Sequence, residues 1–149
     1  MGASRAERDI EVEATPEACT AAAADFADYP RWSSNVISVD VHETDDEGRG
    51  TLVEFFTDAK VKKVRYVLRY DWAAAPDGVS WTFVEGDVPD ISGEYRFEDL
   101  GGGRTRVTYA LALGGGRGRI FVPGPVKKVL VDNVMKGSVA DFKRRVEEA

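Results

Sequence analysis

Residues 64–72, with the sequence VRYVLRYDW, contain the alternation that decides the fold. The residues Val64, Tyr66, Leu68, Tyr70 and Trp72 alternate with the polar residues Arg65, Arg69 and Asp71. A period of two residues is typical of a strand that has one buried face and one face in solvent. The stretch therefore predicts a half-buried β-strand whose inner face is rich in aromatic side chains.

The same period continues on both sides of this strand, from Val36 over about 75 residues. Turn-forming residues interrupt it at 46–50, 60–63, 76–78 and 101–103. The predicted inward residues are Ile37, Val39 and Val41, then Val53, Phe55 and Thr57, then Val79, Trp81 and Phe83, then Gly93, Tyr95 and Phe97, and finally Val107, Tyr109, Leu111 and Leu113. Successive strands with short turns predict an antiparallel meander of about six strands.

A further strand and two short helices are predicted before the meander. Residues 8–14 alternate, and Thr15 then suits the N-cap of a helix with Pro16 at its first position. This helix is expected to end near residues 25–26. A short helical turn is expected next, at the sequence YPRW (29–32), where Pro30 disfavours a helical conformation at Tyr29.

The C-terminal segment has helical spacing from Pro125 onward. The residues that share its apolar side are Leu130, Val131, Val134, Met135, Ser138 and Phe142. A helix of about 25 residues spans ~35 Å, enough to cross a sheet. The simplest packing wraps the sheet around this helix, and the remaining space holds either large side chains or a pocket.

This order of elements resembles the START-like helix-grip superfamily, in particular its polyketide cyclase/dehydrase and lipid-transport branch. The resemblance covers nearly the whole chain and depends on four stretches, namely TPE (15–17), DYPRW (28–32), GEYRF (93–97) and GRTRVTY (103–109). It implies an α+β fold in which a curved antiparallel sheet of six to seven strands wraps around a long C-terminal helix. It also implies the binding of a hydrophobic small molecule, as in related coenzyme Q-binding proteins and pollen-allergen-like carriers.

The inward residues are the candidate ligand-binding site. Buried tyrosine hydroxyls need hydrogen-bond partners, and a pocket containing water or a polar ligand group supplies them. The predicted lining residues are Phe55, Tyr66, Trp81, Tyr95 and Tyr109 on the sheet, with Leu130, Val134 and Ser138 opposite. The mouth is expected at residues 86–91 and 114–125.

Three functions remain open at this stage. The first is the binding of a lipid, quinone or polyketide in an internal cavity, and the second is a polyketide aromatase/cyclase. Such an enzyme needs polar groups inside the cavity for enolisation and dehydration. The sequence offers inward tyrosines but no clear inward arginine or histidine, and no catalytic residue is assigned. Glu85 would act as a proton shuttle or pair with an arginine if it pointed inward, but it is expected in solvent because Gly86 and Asp87 follow it. The third is a protein-interaction module with a filled core.

Composition excludes several classes of partner. The net charge of −6 disfavours nucleic acid, and no apolar run approaches the ~20 residues of an integral membrane segment. The single cysteine, Cys19, allows no intramolecular disulfide and is expected to be buried in the first helix. Together with a start that lacks a signal-peptide pattern, this favours a cytoplasmic protein.

Metal and cofactor sites are not expected. The single histidine, His42, lies on the predicted solvent face with no cysteine nearby, so no metal or cofactor is predicted.

A basic cluster is formed by Lys60, Lys62 and Lys63 together with Arg65, and it suits a solvated hairpin tip. The same cluster could contact an acidic carrier protein or a membrane surface. The whole chain, residues 1–149, is expected to form one domain, and its oligomeric state stays open.

Overall fold

The computed structural model describes residues 4–58, 63–87, 91–113 and 138–148. After strand β1 (Ser4–Val12) come helix α1 (Pro16–Ala24), a 3-10 turn (Phe26–Asp28) and helix α2 (Tyr29–Trp32). Six strands follow, β2 (Val36–Thr44), β3 (Gly50–Asp58), β4 (Lys63–Asp71), β5 (Gly78–Gly86), β6 (Ile91–Gly101) and β7 (Arg104–Leu113). The C-terminal helix, α3, is described over residues 138–148. No helix in these described ranges is long and apolar enough to cross a bilayer.

The two short helices begin where turn chemistry predicts, with one correction. The Thr15 hydroxyl accepts a hydrogen bond from the Ala18 amide at 3.1 Å, which confirms the N-cap of α1. The prediction that Pro30 keeps Tyr29 out of the helix is wrong, because Tyr29 is helical at φ −52° and ψ −43°. The preceding 3-10 turn runs directly into α2, and Pro30 needs no amide donor in the first helical turn.

The strands form one curved antiparallel sheet in the order β1-β7-β6-β5-β4-β3-β2. The meander from β2 to β7 confirms the sequence prediction. Strand β1 adds a seventh strand by pairing with β7, where Arg8 lies opposite Tyr109 and Ser4 opposite Leu113. Strands β1 and β2 are therefore the two edges of the sheet.

The inner faces follow the predicted alternation except in β2. Val53, Phe55 and Thr57 are buried, and so are the predicted residues of β5. In β2 the prediction for Ile37 is wrong, because a bulge there places Val36 opposite Thr57 and leaves Ile37 41% exposed. Val41 does lie opposite Val53, but it remains 40% exposed on this edge strand.

Helix α3 packs its apolar stripe against the inner face of the sheet. Val139, Phe142 and Val146 are buried at helical spacing, and Phe142 has no exposed surface. The Phe142 ring stacks on Tyr95 with centroids 4.9 Å apart and lies 6.0 Å from Phe97. The predicted inward position of Phe142 is thereby confirmed, while the predictions for Val131, Val134 and Met135 fall outside the described residues.

Polar contacts join α3 to helix α2 and to the residues on either side of it. Asp141 accepts hydrogen bonds from the amide of Ser34 at 3.0 Å and from its hydroxyl at 2.8 Å. The Arg145 guanidinium donates to the Asp28 carboxylate at 2.8 Å, and Arg144 donates to the Trp32 carbonyl at 3.0 Å. These bonds fix helix α2 and the turn after it against the C-terminal helix.

Candidate functional site: the aromatic interior

Aromatic side chains from neighbouring strands form a continuous inner wall. Three of the contacts are between direct cross-strand partners on the same face, which lie close enough to interact. Their ring centroids are 5.5 Å apart for Phe55 and Tyr66, 5.6 Å for Tyr70 and Trp81, and 4.9 Å for Tyr95 and Tyr109. Further contacts link the three pairs, because Phe55 lies 6.4 Å from Tyr70 and Trp81 lies 5.5 Å from Tyr95 and 5.9 Å from Tyr109.

A glycine makes room for the central indole of this wall. Gly93 of β6 lies directly opposite Trp81 of β5. A Cβ atom at position 93 would come within 2.7 Å of Trp81 Cζ2 and 2.6 Å of the Ala110 carbonyl oxygen. The absence of a side chain at Gly93 therefore leaves room for the Trp81 ring on the inner face.

The helices close the interior on the opposite side. Phe142 of α3 stacks on Tyr95, and Trp32 of α2 lies 6.0 Å from Phe142. Tyr29 lies 4.8 Å from Trp32 and 6.0 Å from Phe55, so the rings of α2 reach back to the sheet. The aromatic contacts thus run from the C-terminal helix through α2 to strand β3.

All five tyrosines of the chain contribute to this interior. Burial raises the pKa of every one of them, to about 12 for Tyr66 and well above the ordinary value for Tyr29, Tyr70, Tyr95 and Tyr109. At physiological pH they are neutral and can donate or accept hydrogen bonds.

Three of these hydroxyls have polar protein groups near them. Tyr29 donates to the Ala23 carbonyl oxygen at 2.6 Å. The Thr57 side chain offsets part of the rise in the pKa of Tyr66. The Ser138 side chain of α3 does the same for the pKa of Tyr109, so one predicted residue of the helix wall lies near one predicted residue of the sheet wall.

Cationic side chains are absent from the described part of the interior. The buried polar residues there, besides the tyrosines and Cys19, are Thr57, Thr105 and Asp141, and no lysine, arginine or histidine is among them. The Asp141 carboxylate is bonded to Ser34 and lies 3.1 Å from the Arg144 guanidinium. The described interior is therefore apolar, rich in neutral hydroxyls, and bordered by one carboxylate.

Glu85 does not enter this interior, as expected. The register between β4 and β5 shifts between Val67 and Leu68, which places Glu85 opposite Val67 on the outer face. Its side chain is exposed and lies 3.8 Å from Arg65 Nη2. Glu85 is therefore part of a surface ion pair.

His42 lies on the outer face as predicted, but it has partners that the sequence did not indicate. Its Nε2 atom is 2.8 Å from Glu54 Oε1, and Glu54 also binds Arg65. Candidate ligand atoms of Asp40, His42 and Glu54 all lie within 4.8 Å of one another. Both contacts lower the pKa of Glu54, so the described contacts form an ion-pair network across three strands.

Cys19 is completely buried, as the sequence predicted. Burial raises the pKa of its thiol to about 11, so very little of it is present as the reactive thiolate at neutral pH.

The basic cluster is only partly described. Lys60 and Lys62 fall outside the described residues, and Lys63 is exposed. Arg65 is paired with Glu54 and Glu85, so it adds no uncompensated charge.

A separate depression of about 600 Å³ lies at the outer surface of strands β3 to β5. Most of its lining residues are outward-facing and polar, including Arg69, Asp71, Ser80 and Thr82. Arg49 lies 5.6 Å over the Trp72 ring at this place and is bonded to Asp45 at 3.1 Å. Tyr70, Trp72 and Trp81 also border it, but its polar strand residues lie on the face of the sheet opposite the aromatic interior.

The structure brings most of the predicted site residues to one interior. Phe55, Tyr66, Trp81, Tyr95, Tyr109 and Ser138 lie in or beside the aromatic wall. Leu130 and Val134 fall outside the described residues, as do most residues of the predicted mouth. Sequence reasoning missed Tyr29, Trp32 and Asp141, although the stretch DYPRW (28–32) carried two aromatic residues in a segment without strand periodicity.

Comparisons with known proteins agree with this architecture. Residues 4–147 match the family described as polyketide cyclase / dehydrase and lipid transport. No curated protein sequence matches significantly.

Three solved structures show the extent of the likeness. A START superfamily protein from Mycobacterium smegmatis is 19% identical, with a TM-score of 0.87 over 97% of both chains. The Zhui aromatase/cyclase from Streptomyces sp. R1128 is 16% identical, with a TM-score of 0.82 over 97% of this chain and 94% of that one. A major latex-like protein from Panax ginseng is 12% identical, with a TM-score of 0.71 over 97% and 98%. The chain therefore has the START-like helix-grip fold.

Proposed function

Because the chain belongs to the polyketide cyclase / dehydrase and lipid transport family, we propose that it binds a hydrophobic or amphipathic small molecule such as a lipid, quinone or polyketide. The proposed site lies between the sheet and the C-terminal helix, and its residues are Phe55, Tyr66, Trp81, Tyr95, Tyr109, Leu130, Val134 and Ser138. The observation that carries the proposal is the continuous aromatic wall, in which the tyrosine hydroxyls are buried and neutral. Apolar walls with a few polar groups are typical of small-molecule sites.

The electrostatics of the interior favour a neutral ligand region. A buried anionic group would need a cationic partner, and no cationic side chain is buried in the described ranges. The part of the ligand that is enclosed is therefore uncharged, and any charged end projects to the surface.

An aromatase/cyclase activity is the second candidate. The tyrosine hydroxyls and the buried Asp141 carboxylate offer hydrogen-bonding groups for enolisation of a bound poly-β-ketone. The described interior supplies no arginine or histidine for this chemistry, which places ligand binding first. Conversion of a poly-β-ketone substrate into a dehydrated aromatic product by the purified chain would favour the enzyme.

The remaining parts of the proposal concern partners and location. We propose that residues 1–149 act as one ligand-binding domain in the cytoplasm. An acidic carrier protein or a membrane surface could contact Lys60, Lys62 and Lys63, of which Lys63 is exposed. The third reading, a protein-interaction module, requires a filled interior and is excluded if a probe enters the native protein.

A neutral fluorescent probe tests the proposal. Nile red should bind the native protein saturably at one molecule per chain and quench tryptophan fluorescence. Trp81→Ala, or Trp81→Phe if the alanine variant does not fold, should raise the Kd at least about fivefold, since the ring lies at the centre of the wall.

The matched control for this test is Phe56→Ala, which removes an aromatic ring from the outer face of β3. This variant should leave the Kd unchanged. Binding that appears only in partly denatured protein, or that responds equally to both substitutions, would show that the interior is a filled core.

A further inference from the structure

Trp32 carries a buried hydrogen-bond donor without a partner. Its side chain is 8% exposed, and within the described part of the chain no acceptor is bonded to its Nε1 atom. Among the described side chains it is the single buried nitrogen or oxygen atom in this condition. An indole N–H can only donate, and buried indoles normally find an acceptor.

Trp72 shows the ordinary arrangement in the same protein. It is 5% exposed, and its Nε1 donates to the Gly50 carbonyl oxygen at 2.7 Å. Two tryptophans that are buried to a similar extent therefore differ in one respect, which is whether the indole donor is satisfied.

The surroundings hold Trp32 in place. Its ring packs against Tyr29 at 4.8 Å and Phe142 at 6.0 Å, and its carbonyl accepts from Arg144 at 3.0 Å. The Ser33 amide closes the helical turn by donating to the Tyr29 carbonyl at 2.8 Å. The indole therefore cannot turn toward solvent without breaking these contacts, and its unpaired donor is a standing cost that a ligand acceptor would remove.

The hydroxyl of the adjacent Tyr29 is less available for this role. It already donates to the Ala23 carbonyl oxygen at 2.6 Å. Among the buried side-chain nitrogen and oxygen atoms of the described residues, Trp32 Nε1 is the one left without a partner, and it lies on the helix side of the aromatic interior.

We infer that Trp32 Nε1 donates a hydrogen bond to a carbonyl oxygen of the ligand, and that the ligand is a neutral, flat compound of the ketone or quinone class. This inference rests on the proposed function. The aromatic walls favour a planar ring system, and the lack of buried cations in the described ranges disfavours a carboxylate or phosphate. A ketone or quinone oxygen supplies an acceptor without bringing a charge into the interior.

The test compares two ligands that differ by one carbonyl oxygen, namely 9-fluorenone and fluorene. Trp32→Phe removes the donor and keeps an aromatic ring, and it should weaken fluorenone binding about tenfold while changing fluorene binding less than twofold. Trp72→Phe makes the same chemical change at a satisfied donor and should leave the ratio of the two affinities as in the wild type. Circular dichroism confirms that each variant is folded.

A second readout on the wild-type protein does not depend on the folding of any variant. In ¹H–¹⁵N spectra the indole resonance of Trp32 should move to lower field when fluorenone binds and stay near its free position with fluorene. If neither ligand binds the native protein, the proposed function fails and the inference with it. If both bind, but the Trp32 resonance and the ratio of affinities do not respond to the carbonyl, the donor role is overturned and the proposed function stands.

Discussion

Phe142→Ala should lower the free energy of unfolding by about 3–5 kcal/mol, the range for removing a fully buried phenylalanine from a core. The ring has no exposed surface and packs against Tyr95, Phe97 and Trp32 at once. The substitution removes the aromatic contacts of Phe142, which join the C-terminal helix to the sheet and to α2. Urea denaturation monitored by circular dichroism gives the change in free energy.

The matched control is Phe56→Ala, the same change on the outer face of β3. Phe56 is 37% exposed, so Phe56→Ala should lower the free energy of unfolding by less than about 1 kcal/mol. Equal losses at the two positions, or a loss below about half a kcal/mol at Phe142, would show that the helix does not pack on the sheet as described.

Alkaline pH should unfold the protein cooperatively as its tyrosines ionise. Burial holds the pKa of all five tyrosines above the ordinary value of 10, at about 12 for Tyr66. Because the pKa of each tyrosine is higher in the folded than in the unfolded chain, the stability that its neutral hydroxyl contributes is fully present below pH 10. It is lost as pH rises from 10 toward the folded pKa, because only the unfolded chain releases these protons. In that window, ionisation of each tyrosine in the unfolded chain lowers the free energy of unfolding by about 1.4 kcal/mol per pH unit.

Together, the five tyrosines lower the free energy of unfolding by several kcal/mol by about pH 11, which is a large part of the typical stability of a small domain. Absorbance at 295 nm should stay flat through pH 10 and then rise in one step that coincides with the loss of circular dichroism. The chain in concentrated urea should instead titrate near pH 10, and Tyr95→Phe should move the step in the native protein to higher pH. Gradual titration of the native protein near pH 10, without unfolding, would place the hydroxyls in solvent.

Local patterns were sufficient to predict much of the fold. The alternation in residues 64–72 predicted strand β4, and Thr15 with Pro16 predicted the start of α1. The inward positions of Trp81, Tyr95 and Tyr109 followed from the same period of two, and each is buried. Phe142 followed from the period of a helix. In each case one repeating pattern determines which way a side chain points.

The remaining features depend on contacts between distant parts of the chain. The pairing of β1 with β7 and the bulge that turns Ile37 outward are set by the register of neighbouring strands. The bond between Asp141 and Ser34 joins residues that are 107 positions apart. That no described residue accepts a hydrogen bond from Trp32 Nε1 is a property of the folded interior, because a sequence shows that a donor exists and not whether an acceptor reaches it.

Native mass spectrometry tests the central claim, that the folded chain encloses a small hydrophobic molecule. Freshly purified protein is measured before and after the addition of one equivalent of Nile red, and the folded, low-charge ions are compared with acid-unfolded, high-charge ions. The account predicts one retained small molecule per folded chain, either co-purified or Nile red, and none on the unfolded ions. Folded ions that carry no ligand under either condition, or that carry Nile red no better than unfolded ions do, would contradict it.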